Sequence, residues 1–252
     1  MEKHRQKMTE RNEFFNTIRQ ALGPQTEAPN LTGTGSSALG DNSDAVSARS
    51  QAIQAYIDEQ SGPLMDSLSE SATGAGWKVA RFDDLDKAGD HIVGIVRDVE
   101  ANLVVRSRQD VLESGIVEAW LASLGVDVVP MALGEHSEHT VDELRSLAER
   151  ADIGITGVDY AIAETGSCVL IPSAQVSRLV SLLPPIHIAI VQRGQVLPTL
   201  DELFTIRRRD FLDGNLGSYM NLISGPSRSA DIEYTLVTGV HGPGEVHMIL
   251  VG

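Results

Sequence analysis

From Trp77 to the end of the chain, short runs rich in valine and isoleucine alternate with helix-patterned stretches: WKVARF, NLVV, VDVV, IGITG, YAIA, CVLIP, HIAIV, MNLIS and VHMILV. Runs that are apolar at nearly every position belong in strands buried on both faces, and strands that alternate with helices build largely parallel sheets. The pattern predicts an α/β fold, a three-layer α/β/α sandwich with an antiparallel hairpin near 160–171. Between the runs, Leu85, Ala88, Ile92, Val96 and Val99 mark one helix face, a second helix is expected from Val111 to Leu124, and Val141, Leu144, Ala148 and Ala151 mark a third.

Upstream of this region, Phe14, Phe15, Ile18 and Leu22 recur at helical spacing and stop at Gly23-Pro24, the pattern of an amphipathic helix. Residues 23–44 are Gly, Ser, Thr, Pro and Asn with hardly a large apolar side chain, too little to offset ordering entropy, and read as a flexible linker. Residues 45–72 are helical again, with an interruption expected at Gly62-Pro63. The organisation expected is an N-terminal helix and linker over 1–45 and one α/β domain over 46–252.

Charge and composition exclude several functions. The net charge of −15 is spread along the chain, so a phosphate backbone is repelled and nucleic acid is not an expected partner. The one basic run, Arg207-Arg208-Arg209, lies among Asp201, Glu202, Asp210 and Asp213 and reads as a solvated, self-neutralised face. No stretch of about eighteen apolar residues occurs, and the opening MEKHRQKMTERNEFF lacks the apolar core of a signal peptide, so no membrane insertion and a cytoplasmic location are expected. Cys168 is the only cysteine, which removes disulfides, CxxC chemistry and any iron–sulfur cluster held by this chain alone; inside its apolar run it reads as a small buried hydrophobe. Lysine occurs only at positions 3, 7, 78 and 87, leaving no GxxxxGK phosphate loop and no Schiff-base lysine in the last third, and the dinucleotide glycine fingerprint is missing too.

The residues suited to chemistry lie between Ile155 and Val251, where Gly or Pro turns bring polar side chains to the ends of apolar runs. AIAETGS holds Glu164 and Thr165 at a strand end before Gly166. Glu164 is a candidate nucleophile or base, or a carboxylate that braces its own loop. ITGVDYA offers Thr156 and Asp159 around Gly157. RLVSLLPPIHIAIV sets Arg178 on a helix-like segment, able to grip a carboxylate bidentately, and His187 at a strand start, as a site residue or a hydrogen-bonded structural one. ISGPSRSADIE presents Ser227, Arg228 and Asp231 at the opening of a candidate helix, where free N–H groups welcome an anion. GVHGP traps His241 in a turn that has no structural need of an imidazole. His136 and His139, spaced as HSEH, read as a solvated loop rather than a metal site.

Taken together and in this order, TGVDYAIAETG, SLLPPIHIAIV and SGPSRSADIE followed by GVHGP resemble the LUD-domain family, most closely its lactate-utilization protein C branch. The opening helix ending in LGP is similar to that branch's N-terminal arm. Ser167 after AETG and Ser229 after SGPSR stand where threonine is more usual, and both keep the hydroxyl. The resemblance implies a Rossmann-like fold akin to the NagB, RpiA and CoA-transferase group. It also implies a role in oxidising L-lactate to pyruvate beside two companion proteins that carry the iron–sulfur clusters, with no cofactor in this chain and a small carboxylate as a possible ligand. The alternative it leaves open is a stand-alone enzyme of CoA-transferase or sugar-phosphate-isomerase type using Glu164, with His241 as the other catalytic candidate.

Overall fold

The computed structural model describes residues 43–112, 115–133, 137, 139–217, 219–230 and 236–252. The expected opening helix, most of the expected linker, His136 and Asp231 lie outside the described residues. Two compact units divide between Val46 and Ser47, and the second, Ser47–Gly252, holds every described strand.

Each of the nine apolar runs forms a strand. Six of them, β1 (Lys78–Phe82), β2 (Leu103–Arg106), β3 (Asp127–Pro130), β4 (Ile153–Gly157), β7 (Ile186–Gln192) and β12 (Glu245–Val251), make a parallel sheet in the order β1-β12-β7-β4-β2-β3. A second sheet in the order β8-β5-β6-β9 holds β5 (Tyr160–Ile162) and β6 (Ser167–Leu170), the expected antiparallel hairpin, with β8 (Val196–Leu197) and β9 (Asn221–Ile223). The α/β class follows from the pattern, and one outer layer is partly sheet.

One face of the central sheet sends Ala189, Val191, Met248 and Leu250 into a core closed by the second sheet and by α1 (Ser43–Ala75). The opposite face packs Ile155, Ile188, Ile190 and Ile249 against α2 (Leu85–Asp98) and α3 (Ile116–Leu121). α4 (Val141–Arg150) buries Leu144 and Ala148 beside β2 and begins on a capping box in which Thr140 accepts from the Glu143 N–H and Glu143 reaches back.

Four expectations are corrected. α1 runs unbroken through Gly62-Pro63. The proline forfeits a helix bond at a cost of about 3 kcal/mol, yet Ile57, Leu64, Met65, Leu68 and Ala72 bury one continuous face on both sides of it, and each large side chain contributes about 1.5–3 kcal/mol. The helix expected from Val111 to Leu124 is broken into a 3₁₀ turn at Asp110–Leu112, α3, and another at Ala122–Leu124, with Gly115 in the left-handed region at φ 68° between the first two. The candidate helix opening at Ser227 is a strand, β10 (Arg228–Ala230), paired antiparallel with β11 (Leu236–Thr238); without a capping box the segment takes ladder bonds instead. Finally, the basic run on α6 (Leu200–Leu212) is neutralised but not wholly solvated: Arg207 is buried and held at 2.7 Å by Asp210.

The second sheet is tied to α1 by one turn. Ser71 Oγ donates to the Ala163 carbonyl at 2.6 Å, and Gly166, at φ 63°, lies so close to the helix that a β-carbon there would collide with the Ala72 backbone. Gly94, inside α2, faces open space. Gly166→Ala is therefore expected to lower unfolding free energy by more than about 2 kcal/mol, from positive-φ strain and overpacking, while Gly94→Ala raises it by about 0.5–1 kcal/mol. Urea denaturation of both variants checks this, and equal effects would contradict the packing described.

Candidate functional site

Two polar assemblies stand out, at opposite ends of the central strands. The first surrounds the end of α1, which closes in a Schellman motif: Gly76 N–H donates to Thr73 O and Trp77 N–H to Ala72 O, both at 3.0 Å. The Ala163–Gly166 turn sits on its last turn, Gly225 approaches the Ala75 carbonyl, and the Arg228 guanidinium lies against Gly76. A cation there meets the negative end of the helix dipole. Ser227 N–H donates to Pro243 O at 2.8 Å, and the His241 N–H donates to Ser227 Oγ at 3.3 Å. The AETG, SGPSR and GVHGP segments, distant in sequence, are thus linked at one helix end.

Trp77, the residue after that cap, brings in the fourth segment. Its ring centroid lies 6.1 Å from that of His187, which is fully buried in β7 and shares a 2.9 Å hydrogen bond through Nε2 with Thr156 Oγ1 of β4. The register that pairs Gly154 with His187 places Thr156 two residues further along the neighbouring strand, on the same face. Desolvation, reinforced by His247, pushes the His187 imidazole down to about 3, so it is neutral at physiological pH. The two rings pack at a tilt of 57°, and His187 Nδ1 and Trp77 Nε1 are both buried without a hydrogen-bond partner.

The remaining candidates divide. Thr165 Oγ1 bonds Ser167 Oγ at 2.8 Å, which in turn bonds Ser224 Oγ at 2.5 Å, a hydroxyl chain between the two sheet segments. Glu164 is exposed, with its N–H donating to Pro198 O at 3.0 Å. Arg178 is exposed at the start of α5 (Leu179–Leu182), its guanidinium 5.7 Å from the Tyr219 ring centroid. His139 is exposed in its loop, and among the described residues no group of three metal-ligating side chains occurs.

Asp159 belongs to the second assembly, a cavity of about 430 Å3 at the carboxyl ends of the strands. β2 leads outward to β3, whereas β4 leads the other way to β7 and β12, so the loops leaving β2 and β4 diverge and open a crevice there. Gln109 and Asp110 after β2, Asp159 after β4, and Ser173 and Gln175 after β6 line it. Gly157, at the end of β4, lets the segment after β2 pack closely on it, since a β-carbon there would press on Val111 and Gln109. The Ser107 hydroxyl donates to Gln109 Oε1 at 2.7 Å, which leaves Gln109 Nε2 buried and unpartnered. Asp159 accepts the Ile171 N–H at 2.6 Å, but burial outweighs that bond and holds its carboxyl above the usual range.

Sequence reasoning passed over Trp77, Gln109 and His247. Gln109 closes the RSRQ that follows NLVV, the same strand-end position that singled out Asp159. His247, buried in β12, bonds Glu245 Oε1 at 2.7 Å through Nε2.

The buried imidazole sets a pH dependence. His187 titrates lower folded than unfolded, so the unfolded state binds more protons in the window from about 6.5 down to about 3, and stability falls as pH falls through it. The urea midpoint is expected to drop between pH 7 and pH 4, with a shallower drop in His187→Gln. Parallel slopes in the two proteins would show that His187 does not carry the effect.

A family model described as LUD domain matches residues 65–251. The chain is similar to proteins named "Lactate utilization protein C": that of Bacillus subtilis (strain 168) is 45% identical over 105 residues, 41% of this chain and 44% of the relative. That of Halalkalibacterium halodurans is 34% identical over 189 residues, 74% of this chain and 78% of the relative. That of Exiguobacterium sp. (strain ATCC BAA-1283 / AT1b) is 48% identical over 111 residues, 42% and 47% of the two chains. The match thus spans less than half the length of the Bacillus subtilis and Exiguobacterium relatives. Among solved structures, a DUF162 family protein from Deinococcus radiodurans aligns with a TM-score of 0.48 and 22% identity, covering 76% of this chain and 98% of that one. The family model spans nearly the whole α/β region, and the chain belongs to the LUD domain family.

Proposed function

We propose that this chain is an accessory subunit of an L-lactate utilization system, which oxidises L-lactate to pyruvate together with two companion proteins that carry iron–sulfur clusters. The observation that carries the reading is the LUD match over residues 65–251 together with relatives named for lactate utilization. Oxidising lactate to pyruvate removes two electrons, and this chain is poorly equipped to hold an iron–sulfur carrier. Its one cysteine, Cys168, is buried in β6, and desolvation pushes its thiol up to about 12, far from the thiolate a cluster iron needs. In this reading the carriers sit on the partners, in the cytoplasm, and the motif loops gathered at the end of α1 serve assembly or substrate handling.

A stand-alone acyl or sugar-phosphate enzyme built on Glu164 draws less support. That carboxylate is exposed and does not line the switch-point cavity, whereas a covalent nucleophile works best in a desolvated setting. No helix among the described residues is long and apolar enough to cross a membrane.

A strain lacking this chain is expected to lose growth on L-lactate while growing normally on pyruvate, and to regain it when the chain is restored. Lactate-dependent dye reduction by the purified partner pair is expected to rise at least about tenfold, or about 1.4 kcal/mol in barrier, when the chain is added. Full activity of the pair alone, with undiminished growth of the deletion strain, would refute the role.

A further inference from the structure

The helix that carries the basic run, α6, turns an apolar stripe to solvent. Its Leu203 and Ile206 are buried in the core, while Phe204 and Phe211 are 55% and 54% exposed and Leu212 is exposed beside them. Phe204 and Phe211 are seven residues apart, close to two full turns, and so lie on one face. Together with Leu212 they leave roughly 250–300 Å2 of apolar surface in water. Single exposed hydrophobics need no explanation, but two aromatic rings and a leucine along one helix face have the composition of an interface centre.

The charges on the same face suit a copy of this chain. Arg207 and Arg209 are both held by Asp210, at 2.7 Å and 3.1 Å. Arg208 has no carboxylate partner among the described residues and lies over the Phe211 ring, 5.3 Å from its centroid. Asp201, exposed in the first turn of α6, has no ion-pair partner among the described residues either. These two charges are of opposite sign and again two turns apart, on the side that bears Phe204. When identical helices pack antiparallel about a two-fold axis, facing residues have numbers that add to a constant, and every contact occurs twice. An axis between Phe204 and Thr205 sets Phe204 against its symmetry mate and Asp201 opposite the second copy's Arg208, on both sides. The same register brings Phe211 to the level of the second copy's Pro198, which lines a mainly apolar cavity of about 310 Å3 with Ala52, Ile53 and Tyr56 of α1. Tyr56 is half-exposed, so the surface continues from α6 onto α1, toward the roughly 800 Å2 per copy that a stable interface buries.

We propose that α6 is the interface of a two-fold homodimer, its helices packed antiparallel with Phe204 at the axis and an Asp201 to Arg208 pair on either side. The net charge of −15 on each copy opposes association at long range, but salt screens that repulsion beyond about 8 Å at physiological ionic strength. The inference goes beyond the lactate reading and does not depend on it.

Sedimentation velocity of the full chain at physiological ionic strength, from about 1 to about 100 μM, tests this. A dimer that gains population across the range is expected, and Phe204→Asp is expected to stay monomeric throughout. Arg208→Glu and Asp201→Arg each turn two attractive contacts into repulsive ones, and each is expected to weaken the dimer at least about tenfold. Mixed in equal amounts, these two variants are expected to form a heterodimer within about threefold of wild-type affinity, because every facing pair is again of opposite sign. Thermal melting confirms that each variant is folded. A wild-type chain that stays monomeric over the whole range would overturn the proposal, even if the stripe then seats a different protein. A dimer unaffected by Phe204→Asp would overturn it too, as would single charge variants that weaken the dimer and do not recover on mixing. Growth on L-lactate reads the proposed function separately, so the two can fail independently.

Discussion

The close fit between the last turn of α1 and the Ala163–Gly166 turn is the constraint on which the arrangement of the motif segments rests. This helix end is closed by its Schellman pair, Gly76 N–H to Thr73 O and Trp77 N–H to Ala72 O, which ties down the last turn. With Gly166 against Ala72 and the Ser71 hydroxyl on Ala163 O, the second sheet has little freedom to slide along the helix. The same helix end then positions Gly225 and Arg228, and through Trp77 it reaches the buried His187–Thr156 pair.

Two polar centres with different electrostatics result. At the helix end, an arginine, a neutral buried imidazole and a chain of hydroxyls gather around a negative dipole. At the opposite rim, a cavity of about 430 Å3 keeps its carboxylates while Arg106 and Arg207 are consumed by Glu118 and Asp210. Burying charge is tolerable only when it is paired, and Arg106 and Arg207 find their partners in Glu118 and Asp210.

Much of the fold was legible because the apolar runs declare buried parallel strands wherever they occur. β8, only two residues long, is too short to leave a pattern. The unbroken α1 was not legible, since a proline reads locally as a break and only the buried face shared by Ile57, Leu64 and Leu68 overrides it. The candidate site was legible in part. Asp159 was marked by its strand-end position, and Thr156 and His187 by their polarity, but their bond depends on the register between β4 and β7, which no local pattern encodes. Gln109 was passed over because an amide carries no charge to draw notice; its meaning comes from a nitrogen left unpartnered in a buried wall.

Native-state hydrogen exchange tests most directly whether the end of α1 holds the motif segments together. The amides to follow are those of Trp77, Gly166 and Ser227, which donate respectively to Ala72, Ile162 and Pro243. The account predicts that all three open with one common free energy, and that Ser71→Ala lowers it for all three by the same amount. Three separate opening energies, with only Gly166 responding to Ser71→Ala, would contradict it.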